Sequence, residues 1–305
     1  MESNVLKALN ISILAVESVS LLFSFSGYIF ILAVNILDWI KNKRLDISDQ
    51  IISGLGVFSL LQRTYQVSIR CVALMYGLHD ITRFAWLCIH LTYSSIDLCT
   101  LLFSSLLGVH FCLKIVNLNQ NFYIYIQSMF PKMFPWILLL SVLTSLLISG
   151  PAAWDLSQHD FNSTGQIKTS HSPLNRFLSL KFFYAFFSFC FLIFLMSLLV
   201  TIVSLHKHVR RMQNNATKLR AESAEAHVNA VRTLLSLLCL NLLYFILPII
   251  IIYKKNEPQW MNGFLLIYAM CHIFDIPILI RGSTKLQKRL KKMWFHFATV
   301  SFTII

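Results

Sequence analysis

Charge is what this sequence has least of. Only 13% of its 305 residues are Asp, Glu, Lys or Arg, where water-soluble domains carry about a quarter. With 56% hydrophobic residues and a mean hydropathy of +0.66, the chain is too apolar to hide its surface in water, and it reads as an integral membrane protein. Acidic residues are the scarcer sign: 13 against 26 Lys and Arg, a formal net charge of +13. In a soluble chain that balance would point to nucleic acid. In a membrane chain the plainer cause is a basic face beside anionic lipid, so the bilayer is the expected partner and nucleic acid is not.

Other absences narrow the class further. None of the seven cysteines forms a Cys-x-x-Cys pair, and none lies in the long polar stretch 154–181. A structural zinc site and a loop-stapling disulfide are therefore not expected, and buried free thiols are. The histidines are scattered instead of grouped at ligand spacing, and there is no P-loop or catalytic constellation. Neither enzyme chemistry nor a cofactor is expected. The short polar N-terminus runs straight into an apolar stretch with no small-residue cleavage site, so the first helix is read as a retained anchor. No internal repeat, low-complexity tract or soluble domain interrupts the chain, which is read as one domain over 1–305.

What is present is a series of apolar runs, each near the roughly 20 residues that a bilayer core requires. The expected spans are Ile11–Leu37, Ser48–Met75, Ala85–Leu113, Phe134–Ala153, Phe182–Leu205, Val228–Tyr253 and Gln259–Ile280. The fold expected is all-α, a seven-transmembrane-helix bundle. The longest polar interruption in the second half, Ser204 to Arg232, is basic through Lys207, Arg210, Arg211, Lys218 and Arg220. Its alanines, with no Gly or Pro between, let the flanking helices run into it.

Orientation follows from counting Lys and Arg. With the N-terminus outside, the inner segments hold 16 and the outer segments 7, the rest lying within or at the edge of spans. The excess puts the N-terminus outside, and Ser204–Arg232 and the C-terminus in the cytoplasm. The sequon at Asn162 falls in the longest outer segment and is the candidate glycosylation site. Asn10 sits too near the membrane, and Asn215 would be cytoplasmic and silent. The tail Lys285–Phe297 interleaves basic residues with Leu286, Leu290, Met293, Trp294 and Phe297 at helical spacing, as suits an amphipathic helix along the inner leaflet.

Several segments match one family in order. Asn35-Ile-Leu-Asp-Trp-Ile-Lys41, with Arg44-Leu and Asp49-Gln-Ile, resembles the first inner loop of type 2 (bitter) taste receptors. Leu113-Lys-Ile-Val-Asn117 is similar to that family's signature at the foot of helix 3, and Pro135-Trp-Ile-Leu-Leu to its opening of helix 4. Ser204-Leu-x-x-His208-x-x-x-Met212 resembles the end of helix 5. Asn215-Ala-Thr, Arg220 and Glu225-Ala-His227-Val-x-Ala230 resemble the loop and start of helix 6, and Lys285-Leu286 after Gly282 the exit of helix 7. The chain departs from the pattern at Ser59 (the family has Arg; either Arg63 one turn later stands in for it or the packing of helix 2 differs), at Leu102 (Trp) and at Asp275-Ile276 (His-Ser), so it is read as a divergent member.

The resemblance implies a G-protein-coupled receptor for small organic agonists, coupled to a heterotrimeric G protein of the gustducin/transducin type, in the plasma membrane. It places agonists at the outer ends of helices 3, 5, 6 and 7. The implied liners are Leu102 and Ser105, Tyr184 and Phe187, Tyr244 and Leu247, and Phe264 and Tyr268. The inner surface offers Lys114, Asn117, His206, His208, Arg211, His227 and Arg281 to the G protein. Intramembrane charge is expensive, so it pairs, lines a cavity or snorkels. Arg70 and Asp97 either face each other across the ligand cavity or reach separately for the interface. Asn35, Arg63 and Asp275 are read as a polar network joining helices 1, 2 and 7, as a switch or as plain helix glue. A vomeronasal-type pheromone receptor is the nearest alternative. A transporter or channel is the more distant one, since Pro248 and Pro277 are not paired by a repeat.

Overall fold

A computed structural model describes residues 2–76, 82–115, 121–163, 173–213, 232–233, 235–247, 250 and 258–304. Every regular element among them is helical: α1 (Glu2–Asn42), α2 (Ile47–Tyr76), α3 (Arg83–Ile115), α4 (Asn121–Ser163) and α5 (Pro173–Gln213). The apolar helix α6 (Leu235–Leu247) precedes α7 (Pro258–Gly282) and α8 (Thr284–Ile304). Few residues here break helices: 9 Gly and 7 Pro in the whole chain.

Among the described residues, four stretches are long and apolar enough to cross a membrane: Ile11–Asn42, Phe84–Lys114, Ser128–Asp155 and Leu178–Lys207. Leu266–Gly282 and Lys285–Phe295 make a fifth if their 102° bend is counted within one span. α2 is also long, at 30 residues, but Gln62, Arg63, Gln66 and Arg70 dilute its apolarity.

Helices outrun the apolar runs that marked the expected spans. α4 begins at Asn121, well before Phe134, and carries Pro131, Pro135 and Pro151 inside it; Pro135 does not open the helix. Membrane helices tolerate such prolines because neighbouring groups re-satisfy the freed carbonyls. The polar stretch 154–181 is helical at both ends, because no Gly or Pro follows Pro151 before Ser163, and α5 opens on Pro173, the residue best suited to a first helical turn. Most of Ser204–Arg232 lies outside the described residues, although α5 does run into it as far as Gln213.

The burial pattern is that of a protein solvated by lipid. Leu22, Val19, Leu146, Leu147 and Phe189 are exposed, while Ser20, Ser24, Ser145, Ser149 and Thr201 are fully buried. Small polar residues let membrane helices approach closely, and their hydroxyls bond back to carbonyls of their own helix, as Ser145 does to Val142 at 2.7 Å.

The chain forms two compact units, Met1–Ser53 with Leu198–Ile305, and Gly54–Ser197. In the first, α1 packs on α7, and a Cβ added at Gly27 would sit 2.5 Å from Ile276 Cγ2. α1 ends at Lys43, whose φ of 55° is left-handed and whose amide donates to the Trp39 carbonyl at 2.8 Å. That is the single-bond helix stop usually made with glycine. In the second unit α3 packs along α4, where Phe130 stacks on His110 and tilts against Phe134. Gly54 leaves room for the Phe103 ring, 2.2 Å from where its Cβ would stand, and Phe58 covers that ring from one turn away, centroids 5.2 Å apart.

Ile276 is β-branched and cannot swing clear of a new methyl group. Gly27→Ala is therefore expected to cost about 1–3 kcal/mol, read as a lower melting temperature of the detergent-purified protein. Gly263→Ala, with nothing within 4 Å, is expected to be neutral or to gain up to about 1 kcal/mol. Equal effects of the two would contradict the close α1–α7 contact.

Candidate functional site

Three polar constellations interrupt the apolar packing, each built on a carboxylate that has found donors. In the second unit, Gln62 on α2 donates from Nε2 to Asp97 Oδ1 on α3 at 2.9 Å. One turn along α2, Tyr65 donates to the Ile89 carbonyl at 3.1 Å. Arg70, expected opposite Asp97, is half-buried two turns beyond Gln62. Sequence reasoning missed Gln62, because a neutral amide carries no charge signal.

Ser105 is buried, and its hydroxyl lies 2.9 Å from the Leu101 carbonyl of its own helix and 3.0 Å from the Cys190 carbonyl on α5. It ties α3 to α5. Leu102 beside it is half-buried, and Tyr184 is exposed. Phe183 lies between two of the expected liners, edge-on to Tyr184 at 5.5 Å and stacked on Phe187 at 6.2 Å. Ser179 on α5 donates to Asp155 on α4.

In the first unit, Tyr244 on α6 donates to Asp275 Oδ2 on α7 at 2.7 Å. Its ring meets Tyr268 edge to face at 5.7 Å. Leu240, Leu247, Tyr268 and Cys271 form the buried cluster beneath, with Ile278 packed against it. Three of the four liners expected on helices 6 and 7 are thus brought together; the side chain of Phe264 lies outside the described residues.

The third constellation surrounds Lys285, near the start of α8. Its ammonium lies 2.8 Å from Asp38 Oδ2 on α1, 2.8 Å from Asp49 Oδ2 on α2 and 3.0 Å from Asn35 Oδ1 on α1. A lysine has three N–H donors, and here each has an acceptor. The amide of Asn35 donates in turn to Ser53 Oγ at 2.9 Å and reaches the Asp49 carbonyl at 3.4 Å. Arg289, one turn on, adds a contact to Asp38 at 3.4 Å.

Local chemistry delivers Lys285 to that spot. Ser283 caps α8, its Oγ 3.4 Å from the Leu286 amide, the bond expected of an N-cap. Leu286 is fully buried, and Gly282 lets α7 end tightly against Thr233, 3.0 Å from the place of a Cβ. The turn between α7 and α8 then leaves Lys285 facing α1 and α2.

Asn35, Arg63 and Asp275, expected to form a polar network, each have described partners of their own. Asn35 bonds Asp49, Ser53 and Lys285, while Asp275 bonds Tyr244. Arg63 is buried and donates to Gln66 of its own helix at 3.3 Å. The packing of Gly27 on Ile276 explains the first part: it puts Asp275 about two turns along α1 from Asn35, some 12 Å at 1.5 Å per residue.

Of the residues expected to face a G protein, Lys114, His206 and Arg281 are exposed at the ends of α3, α5 and α7. His208 and Arg211 belong to α5 and Asn162 to the last turn of α4, their side chains outside the described set. Asn117 and His227 lie wholly outside it. Among the described residues no group of three or more His, Cys, Asp and Glu could hold a metal ion.

The taste receptor protein model, TAS2R, matches residues 2–298. The chain belongs to that family. It is similar to taste receptor type 2 member 7 of Pan troglodytes, 28% identical over 289 residues, covering 88% of each chain. It is also similar to taste receptor type 2 member 41 of Rattus norvegicus, 27% identical over 295 residues and covering 90% of this chain and 94% of the relative. Against taste receptor type 2 member 2 of Homo sapiens the identity is 25% over 284 residues, 87% of this chain and 89% of the relative. Identities this low over nearly full length agree with a divergent member. The receptor is a membrane protein with the chemoreceptor function of the bitter-taste class, and neither the pheromone-receptor nor the transporter alternative is favoured.

Burial works against the charge on Lys285. The hydrogen bonds and attraction of Asp38 and Asp49 outweigh it and hold the ammonium pKa above its ordinary value. That contribution to stability is therefore complete below about pH 10.4, the unfolded value, and is lost as pH rises through the folded one. Lys285→Met should remove about 2 kcal/mol at neutral pH, seen as a lower melting temperature whose gap from wild type closes only in strong alkali. An unchanged melting temperature would leave Lys285 without a structural role.

Proposed function

We propose that the receptor is a seven-span, G-protein-coupled bitter chemoreceptor of the plasma membrane, with its N-terminus outside and its C-terminus in the cytoplasm. The match of the taste receptor family over residues 2–298 carries the reading. α2, α6 and α7 supply the three spans beyond the four that length and apolarity mark. A chain that crosses a bilayer reverses at every span, so the C-terminal ends of odd-numbered spans face one compartment. Those ends carry Lys41, Lys114, Lys207 with Arg210, and Arg281, the basic excess of a cytoplasmic face.

In this reading the agonist enters from outside, among the outer parts of α3, α5, α6 and α7. Apolar and aromatic walls with a few polar tips suit small amphipathic organic compounds. Leu102, Ser105, Phe187, Tyr244, Leu247 and Tyr268 are the wall residues this reading offers. Asp97 and Asp275 are the polar tips, each already bonded to a neutral donor that a ligand could replace at little net cost. Arg70, half-buried two turns beyond Gln62 on α2, is offered to the same ligand.

Activation opens the cytoplasmic ends of α5 and α6 for the C-terminal helix of a G-protein α-subunit. Lys114, Asn117, His206, His208, Arg211, His227 and Arg281 would meet it. The agonist's lever is its tighter binding to that open state. Glycosylation at Asn162, on the outer side, fits the same orientation.

Cells carrying the receptor with a promiscuous G protein should give calcium signals to members of a bitter-compound panel. Tyr244→Phe, which takes the phenolic donor from Asp275, should shift the effective concentration of such an agonist by about tenfold at equal surface expression. Silence across the panel despite surface expression would reject the bitter-ligand reading. An unshifted response of Tyr244→Phe would take the Tyr244–Asp275 pair out of the binding site.

A further inference from the structure

The turn between α1 and α2 closes a cleft of about 620 Å³ that the receptor function above does not use. Leu32, Ile36 and Trp39, a helical stripe on α1, and Leu45 make its wall, Asn35, Ser53 and Gln50 its polar floor, and Lys43 and Arg44 its lip. Both lip cations are exposed, and among the described residues neither has an ion-pair partner. Of the nearby carboxylates, Asp38 and Asp49 are already held by Lys285, and Asp46, exposed just before α2, makes no ion pair with either lip cation among the described residues. Gln50 is turned back on the Leu45 carbonyl at 2.8 Å, which keeps the turn closed beneath the two charges.

We infer that this cleft is a binding site for one anionic phospholipid, its phosphate held by Lys43 and Arg44 and one acyl chain laid along Leu32, Ile36 and Trp39. Two independent features select an amphiphile over a free anion. The wall lies on a membrane-crossing helix, and its residues Ile36 and Trp39 are 54% and 56% exposed, on a surface that has only hydrocarbon to meet. From Leu32 to Lys43 the helix rises about 16 Å, from acyl depth to the headgroup layer, where tryptophan settles. A free anion would use the lip and leave the wall bare. A neutral lipid would use the wall and leave two cations unanswered.

The backbone makes the lip a built feature. Lys43 holds the left-handed conformation that a glycine would take without strain, so the side chain there stands at a cost in stability. The stop places two successive basic residues, Lys43 and Arg44, where α1 leaves the membrane. The identity of the lipid as one of the anionic cytoplasmic leaflet rests on the orientation proposed above; the site itself does not.

The test uses the full chain in nanodiscs containing equal amounts of phosphatidylserine and phosphatidylcholine with identical acyl chains. Lipids retained on the receptor after release are counted by native mass spectrometry. Wild type is expected to retain phosphatidylserine selectively. Lys43→Gly with Arg44→Gln should weaken that selectivity by about thirtyfold, from roughly 1 kcal/mol of surface attraction for each of the two charges, converted at about 1.4 kcal/mol per tenfold. Glycine at the left-handed stop relieves strain, so the variant is expected to fold. Lys291→Gln with Lys292→Gln, which removes two exposed charges of α8, should leave the selectivity in place. Unchanged retention by the first variant, equal loss in both, or displacement of the lipid by excess inorganic phosphate would each overturn the site. Nanodiscs have two identical leaflets, so this readout is blind to orientation. A tag at residue 215, stained only after permeabilising cells, reports orientation separately.

Discussion

Lys285 brings a full positive charge to the place where α1, α2 and α8 meet, and the geometry there depends on its being answered three times. Asp38, Asp49 and Asn35 come from two helices and supply one acceptor per N–H. With one acceptor missing, an ion partly withdrawn from water would keep its desolvation cost without full compensation. Satisfied, it fixes three things together: the distance between the end of α1 and the start of α2, the course of α8, and the burial of Leu286 under that helix. The same arrangement takes Asp38 and Asp49 away from the basic lip of the α1–α2 turn, because both are held by Lys285.

The rest of the molecule applies one rule to other partners. In lipid the apolar side chains have no reason to turn inward, so packing relies on small residues and on polar groups that satisfy one another. Gly27 and Gly54 let a helix close on Ile276 and Phe103, and serines fill the faces that leucines leave. The carboxylates Asp97 and Asp275 are met by Gln62 and Tyr244. A neutral donor stabilises a carboxylate less than a cation does and is exchanged more cheaply. That difference separates the two kinds of polar site here: a charged clamp that holds the α1–α2 turn, and softer pairs among the residues offered to a ligand.

The helical class and four of the apolar spans, those of α1, α3, α4 and α5, were legible in the sequence because hydropathy reports composition directly. The helix ends were not. Apolarity stops at the membrane while hydrogen bonding continues, so α4 reaches back to Asn121 and α5 on to Gln213. The family motifs were legible as strings, and Asn35, Asp38, Asp49 and Lys285 all stood within them. Their meeting was not, because no periodicity links residue 285 to residues 38 and 49. One signal did point there: three of only 13 acidic residues, Asp38, Asp46 and Asp49, lie in the basic neighbourhood of the first turn, where an acid is expected to have a specific partner. Depth in the membrane, on which the Asn35–Arg63–Asp275 grouping rested, does not say which face of a helix a side chain takes, so it gave no sign of the Tyr244–Asp275 bond. Gln62 shows the same limit, since a polar neutral residue in a span looks like any other.

The account stands or falls on whether Lys285 and Asp49 stabilise the receptor as a pair. A double-mutant cycle with Lys285→Gln and Asp49→Asn, read as unfolding free energies of the purified receptor, measures that coupling directly. A coupling of about 1 kcal/mol or more, with the double variant less destabilised than the two single losses combined, is the predicted result. Losses that add to within about 0.3 kcal/mol would mean that the contact contributes nothing of its own, and the clamp would be contradicted.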